Sequence, residues 1–361
     1  MDINQLIRSH LRKFDEYIPG EQPTESGWIK LNANENPYPP LPEIVEDIKK
    51  NIDENLRLYP DPLARDLKFK IINLLLKNKD PPSNIDSYFV GSGTDEVLEV
   101  IFKVFIEIGD DVIYLDPSYG MYKTLTDLYS ANSVEIKLNS DFSLPDKLLE
   151  IKGKLMFICS PNNPTGKAFE NSSILDVCKK FPGIVVVDET YCDFTNKTAI
   201  PLLKNVNNLI ITRTFSKSFS LASLRVGYAI SNPRIIQIMN QVKLPYNVNS
   251  LSQIAAISCI NNMDKVFERN KKIISERNRL SEIINSYDDI NVLPSDANFI
   301  LIKFKDKSQP IKLFQEMKKR KILVRYFSKP SLESYIRLSI GTEFQNNKLL
   351  EAFKEIIKDF F

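Results

Sequence analysis

The sequence predicts an α/β protein: a large domain with a mostly parallel sheet flanked by helices, and a smaller α+β domain. Three observations lead there. Short apolar runs without polar alternation recur, as in Ile184-Val-Val-Val, and such runs are strands buried on both faces. Amphipathic helical stretches alternate with these runs. Towards the C-terminus the mix of strands and helices changes, and 361 residues leave room for a second domain there. The expected division is an N-terminal arm at 1–36 packing with the small domain, the large domain at 37–248 and the small domain at 249–361.

Taken in order, residues 2–14 carry apolar side chains at helical spacing, with Asp2 as a cap. Prolines and a glycine make 17–23 a loop, and 28–31 is extended. Asn32 to Pro40 is a polar, proline-rich loop, which suits either a binding site or plain turn chemistry. Residues 42–56 form an amphipathic helix and 63–76 another. Between them Leu58-Tyr-Pro-Asp-Pro is extended, because a residue before proline avoids the helix. Tyr59 therefore sits on an arm, where it either packs locally or reaches a neighbouring subunit.

Tyr88-Phe-Val-Gly-Ser-Gly-Thr-Asp-Glu is a strand running into a helix. Gly91 and Gly93 permit a tight turn, and the first helical amides make an anion site. Position 96 is Glu, so the dinucleotide fingerprint G-x-G-x-x-G is absent. Strands follow at 111–115, 133–138 and 154–159, and Tyr119 opens a helix. Ser160-Pro-Asn-Asn-Pro-Thr-Gly-Lys looks like the tail of a P-loop, but Pro161 replaces the first glycine and Ala168 follows the lysine. A helix at 172–181 precedes a buried strand that ends at Asp188. Strands at 208–211 and 226–230 bracket Thr214-Phe-Ser-Lys. Beyond them come a helix at 233–241, one long helix or two at 250–286, a strand at 298–304, a helix at 311–320, strands at 322–325 and 335–340, and a last helix from 343 toward 361.

Composition removes several functions. Lys and Arg total 48 against 46 Asp and Glu, a balance that argues against a nucleic-acid binder. The first residues lack the apolar core of a signal peptide, and no apolar run could span a bilayer, so a cytoplasmic protein is expected. The single histidine, His10, lies near a chain end and excludes a histidine-rich metal site. Cys159, Cys178, Cys192 and Cys259 have no zinc-type spacing; free thiols and no metal are expected.

Lys217, between hydroxyls at the end of a core strand, is an odd place for a solvated charge. A desolvated lysine near a second cation, here Arg225, loses its proton more easily and attacks aldehydes. An aldehyde that also carries a phosphate describes pyridoxal 5'-phosphate (PLP). Asp188 would keep its ring nitrogen protonated. Asn163 and Tyr191 would meet its phenolic oxygen, and Tyr119 would stack on the ring. The amides of Gly93, Thr94 and Asp95, with Thr214, Ser216 and Arg225, would hold the phosphate, at about 1.5–3 kcal/mol per charge-assisted contact.

Together these stretches resemble the fold-type I PLP-dependent aminotransferases and, among them, the histidinol-phosphate aminotransferase family. The resemblance runs from Tyr17-Ile-Pro-Gly to the last helix. It rests on Leu31-Asn-Ala-Asn-Glu-Asn-Pro, Tyr59-Pro-Asp-Pro, Gly91-Ser-Gly-Thr-Asp-Glu, Ser160-Pro-Asn-Asn-Pro-Thr-Gly, Asp188-Glu-Thr-Tyr, Thr214-Phe-Ser-Lys, Val324-Arg-Tyr-Phe and Ile336-Arg-Leu-Ser-Ile-Gly-Thr. It implies transfer of an amino group from glutamate to imidazole-acetol phosphate, giving histidinol phosphate. Lys217 would hold the cofactor and shuttle a proton. Arg337 would bind the glutamate carboxylate or the substrate phosphate, with help from Arg325. Asn34 and Tyr17 would line the substrate pocket. Tyr59 would cross to the cofactor phosphate of the partner in a homodimer. Pro39 and Ser223 stand where the family often has glycine, which bears on loop shape and substrate fit.

Two other readings remain open at this stage. A related PLP enzyme, such as an aromatic aminotransferase or a threonine-phosphate decarboxylase, would share Lys217, Asp188 and the arginine. A non-catalytic α/β protein that binds a phosphorylated metabolite would need no reactive lysine.

Overall fold

The structure is a computed structural model, and it describes residues 2–76 and 80–358. The chain begins with two short 3-10 turns, Ile3–Gln5 and Ser9–Lys13, where helical spacing had predicted one helix. Asp2 does cap the first, accepting from the Asn4 amide at 2.9 Å. Ile3 and Leu6 stay exposed, so no core rewards the longer helix.

The elements that follow are β1 (Ile29–Lys30), α1 (Pro42–Lys50), α2 (Arg65–Leu76), β2 (Tyr88–Gly91), α3 (Gly93–Phe105), β3 (Asp111–Asp116), α4 (Met121–Leu128) and β4 (Asn132–Lys137). After them come β5 (Leu155–Cys159), α5 (Asn171–Lys180), β6 (Ile184–Asp188), β7 (Leu209–Thr214), β8 (Gly227–Ser231), α6 (Pro233–Val242), α7 (Ser250–Asn261) and α8 (Met263–Asn285). The chain closes with β9 (Ile290–Val292), β10 (Phe299–Phe304), α9 (Gln309–Lys319), β11 (Ile322–Leu323), β12 (Arg325–Tyr326), β13 (Tyr335–Ser339) and α10 (Glu343–Lys358).

Several expected boundaries move. The helix expected at 42–56 stops at Lys50, and a separate 3-10 turn, Glu54–Arg57, starts where the Asp53 carboxylate accepts from the Asn55 amide. The stretch at 250–286 is two helices broken at Asn262. The strand expected at 322–325 divides, because β11 pairs with β1 while β12 pairs with β13. The last helix is described to Lys358; the remainder of the expected span lies outside the described residues.

Seven strands form the large sheet in the order β2-β8-β7-β6-β5-β3-β4. β4, β3, β5, β6 and β7 run parallel, and every residue of β5 and β7 is buried. β8 is antiparallel to both neighbours, so β2 points the same way as β7. The loops after β2, β3, β5, β6 and β7 therefore leave the same edge of the sheet. That edge is where ligands gather in open α/β sheets.

One face of the sheet packs on α1, α2, α5 and α7, through residues such as Ile44, Ile71, Ile174 and Ala255. The other packs on α3, α4 and α6, through Phe102, Tyr122 and Met239. A second core surrounds the antiparallel sheet β12-β13-β10-β9, with α8, α9 and α10 contributing Ile273, Leu313 and Phe353. Met263 and Val266 of α8 pack in the first core and Ile273 onward in the second. That packing favours a division inside α8 over one before α7. Among the described residues no helix is long and apolar enough to cross a membrane.

Candidate active site

At the shared edge lies a cleft of ≈ 500 Å³, walled by the large sheet, the small sheet and residues 17–22 of the N-terminal segment. Of the sixteen residues singled out in the sequence, Thr94, Asp95, Tyr119, Asn163, Asp188, Tyr191, Thr214, Ser216, Lys217, Arg225, Arg325, Arg337, Asn34 and Tyr17 all line it. Gly93 lies immediately behind, and Tyr59 lies elsewhere.

Asp188 ends β6, where an apolar strand delivers a carboxylate into the interior. Tyr122 Oη donates to its Oδ2 at 2.7 Å. The Thr190 hydroxyl and amide donate to Oδ1 at 2.7 and 3.1 Å. Burial pushes the carboxyl up, and these donors hold it back. On the adjoining β7, the chain turns at Thr214 and carries Lys217 into the cleft. Among the described residues the only hydrogen bond of its amine is a long one to the Ala33 carbonyl, 3.3 Å. Desolvation lowers the amine to about 8, and Arg337 is the cation that lowers it most; Arg225, expected as that cation, ranks below it.

Asn36 fixes the lysine from behind: its Nδ2 donates to the carbonyls of Lys217 and Ser218 at 3.0 and 3.1 Å. The Ser218 hydroxyl donates to Asp193 Oδ2 at 2.5 Å, which ties the same turn to the segment after Tyr191. Asn34 Nδ2 donates to Tyr191 Oη at 3.0 Å and leaves the phenol proton free to be given into the cleft. Asn162, fully buried, binds Ser118 Oγ, the Pro117 carbonyl and Thr165 Oγ1 at 3.0 Å each. It thereby joins the loop of Tyr119 to that of Asn163.

At the other end of the cleft the Thr94 and Asp95 amides open α3. Thr214 Oγ1 and Ser216 Oγ lie 3.0 Å apart. Arg225, at φ 50° in the left-handed region, pairs with Asp95 at 2.7 Å. A Cβ on Gly93 would collide with that guanidinium, and φ is +77° there, so this position requires glycine on both counts. Hydroxyls, helix-start amides and a guanidinium converge, which is the donor set a phosphate needs.

Arg337, on β13, is buried at the floor. Its terminal nitrogens donate to neutral oxygens, Asn163 Oδ1 and the Asn32 carbonyl, both at 2.6 Å. Its Nε has no hydrogen-bond partner among the described residues. Phe299 and Phe327 lie under the guanidinium at 5.4 and 5.7 Å. Burial lowers it to about 10. Arg325 lies nearby, donating to the Ile18 carbonyl at 3.4 Å. Tyr17 meets Tyr119 edge-on at 5.9 Å.

The comparisons with known proteins bear on this arrangement. The sequence profile of the family "Aminotransferase class I and II" matches residues 26–353. The chain belongs to this family. Among its relatives, the chain is 38% identical to histidinol-phosphate aminotransferase 1 of Oceanobacillus iheyensis, covering 99% of each chain. It is 37% identical to a histidinol-phosphate aminotransferase of Caldanaerobacter subterraneus, covering 98% of this chain and 99% of that one. The fold matches a histidinol-phosphate aminotransferase of Sinorhizobium meliloti in complex with pyridoxal-5'-phosphate, with TM-score 0.84, 24% identity and 92% of each chain covered.

Class I and II aminotransferases are PLP-dependent, and the residues present here fit that cofactor. A poorly satisfied lysine, a donor-rich phosphate cradle and a buried carboxylate occupy one cleft. The site also holds three groups that sequence reasoning did not single out, Tyr122, Asn36 and Asn162. Asn36 and Asn162 had a signal, since each stands in an asparagine-bearing loop. Tyr59 is 79% exposed and stacks on Tyr246 at 4.3 Å, outside its own chain's cleft.

Proposed function

We infer that this aminotransferase binds PLP and moves the amino group of glutamate onto imidazole-acetol phosphate, giving histidinol phosphate and 2-oxoglutarate, a step of histidine biosynthesis. The observation that carries the reading is Arg337. A buried guanidinium facing only neutral oxygens, with Nε unpartnered, is costly unless an anion joins it. Glutamate brings a carboxylate to that position and histidinol phosphate a phosphate ester, so one fixed cation serves both half-reactions. The full-length relatives named above support this choice of substrate.

PLP, when bound, supplies an aldehyde for an amine and a ring that draws electrons away from the substrate carbon. The chain's residues do the rest. Lys217 would hold the cofactor, and its amine, at about 8, would take and return the proton at the substrate α-carbon. Asp188 would supply the negative charge for the ring nitrogen. Asn163 and Tyr191 would meet the phenolic oxygen, and Tyr119 would pack on the ring. The Gly93–Asp95 amides, Thr214, Ser216 and Arg225 would hold the phosphate. Arg325 supports the substrate anion, and Tyr17 and Asn34 shape its pocket. Tyr59 completes the phosphate site of a second copy, and the homodimer is the active unit.

The test is a steady-state assay of the PLP-loaded enzyme with glutamate and imidazole-acetol phosphate. The expected result is 2-oxoglutarate and histidinol phosphate in equal amounts. Faster loss of carbon dioxide from a phosphorylated amino acid than amino transfer would overturn the reading.

A further inference from the structure

Lys329 has no part in the account so far. It lies between β12 and β13, in the segment that enters the small turn Pro330–Leu332. Its ammonium donates to Asp116 Oδ1 at 2.8 Å and to Glu135 Oε2 at 2.9 Å. Ser331 Oγ donates to the same Asp116 oxygen at 3.3 Å. Asp116 closes β3 and is 7% exposed. Glu135 belongs to the neighbouring β4 and also accepts from Tyr114 Oη at 3.3 Å. One side chain carried by the small sheet thus fastens two adjacent strands of the large sheet.

What hangs on either side gives the contact its meaning. Three residues after Asp116 comes Tyr119, on the loop that covers the ring site. Two residues before Lys329 comes Phe327, whose ring meets the guanidinium groups of Arg325 at 5.6 Å and Arg337 at 5.7 Å. The bridge therefore joins the loop of Tyr119 to the wall that carries both arginines. The Lys329 side chain is 47% exposed but Asp116 only 7%, so removing the lysine would leave a mostly buried carboxylate without its cation. The geometry of the bridge is specific: two carboxylates from two strands converge on one ammonium.

We propose that Lys329 is a positioning residue: by clasping Asp116 and Glu135 it sets the separation between the Tyr119 loop and the Arg325–Arg337 wall, and so the fit of the substrate's anionic end. This rests on the aminotransferase reading above. Lys329 and Glu135 line the same cleft, and the role assigned to Lys329 runs through its two acids rather than through the substrate. Removing the acids therefore has the same effect as removing the lysine.

The experiment compares Lys329→Ala, Lys329→Arg and the double variant Asp116→Asn with Glu135→Gln, all PLP-loaded. Lys329→Ala and the double variant are expected to raise KM for glutamate about tenfold each with kcat within about twofold, and combining all three changes adds little further. Lys329→Arg stays near wild type. Hydrogen exchange, read without substrate, is expected to quicken at the amides of residues 118–122 in Lys329→Ala. If the double variant does not fold, Glu135→Gln alone carries the comparison. A KM effect of Lys329→Ala that the acid variants do not reproduce would mean direct substrate contact and overturn the proposal. Unchanged exchange at 118–122 would overturn it too. A wild-type enzyme inactive on glutamate would sink the functional reading, while the exchange measurement would still decide on the clasp.

Discussion

The Tyr122 hydroxyl donates a hydrogen bond to Asp188 Oδ2 at 2.7 Å, and both side chains are buried. With Thr190 on the other oxygen, the donors around Asp188 favour its anion in a place where burial disfavours one.

That conflict makes a stability prediction. The folded carboxyl titrates above its unfolded value. Its contribution is thus fully present below the unfolded carboxylate pKa and is lost as pH rises through the folded pKa. Once ionised, the carboxylate is a net cost to the cofactor-free fold. Asp188→Asn removes that cost, so the cofactor-free variant is expected to melt at or above wild type at pH 8. The gap should narrow toward pH 4 in thermal denaturation scans. Turnover, by contrast, falls at least about 100-fold.

The Lys217 amine sets the pH dependence of cofactor capture. Only the neutral amine attacks an aldehyde, and it titrates at about 8. The capture rate, followed by the near-visible absorbance of PLP mixed with cofactor-free enzyme, rises with pH up to about 8 and levels above it. Arg337 is the cation that lowers this amine most. Arg337→Gln is therefore expected to move the inflection upward, and it also raises KM for glutamate about 100-fold. Lys217→Ala abolishes the absorbance band.

Tyr59 stacks on Tyr246 and stays outside its own cleft. If it serves a partner's site, two inactive variants complement one another. Tyr59→Ala and Lys217→Ala, dissociated together and reassembled, should recover roughly a quarter of wild-type activity, since half the dimers are hybrids and each carries one intact site. No recovery would show that Tyr59 serves no partner site.

Asn36 Nδ2 donates to the main-chain carbonyls of Lys217 and Ser218, while its Oδ1 accepts from the Tyr38 amide at 3.0 Å. Asn36→Ala leaves two carbonyls without their donor and is expected to cost about 1–3 kcal/mol. The loss should appear as weaker PLP retention by equilibrium dialysis. Asn36→Asp should not restore it, because a carboxylate cannot donate.

The sheet and its ligand edge were legible in the sequence because the key groups lie at or just beyond an apolar run. Asp188 directly follows Val185-Val-Val, and Thr214 comes just beyond Leu209-Ile-Ile, after Thr212 and Arg213. Other groups were hidden for physical reasons. Tyr122 occupies an apolar position of α4 and reads as ordinary core, which its ring indeed is; only its hydroxyl serves Asp188. Asn36 acts on a carbonyl 181 residues away, and nothing local distinguishes that from turn chemistry. The break between β11 and β12 is set by which partner strand lies beside each, Lys30 for Leu323 and Arg337 for Arg325. Residues 2–14 carry helical spacing, but spacing alone does not supply a surface to pack against.

Asp188 and the turn of Lys217 hang from neighbouring strands of one ladder, whereas Arg337 is mounted on a different sheet. The bond-making apparatus and the selector of acids are mounted on separate sheets but meet where Arg337 donates to Asn163 and lowers the Lys217 amine. Drift in the smaller sheet that exchanges one amino donor for another therefore also retunes the lysine.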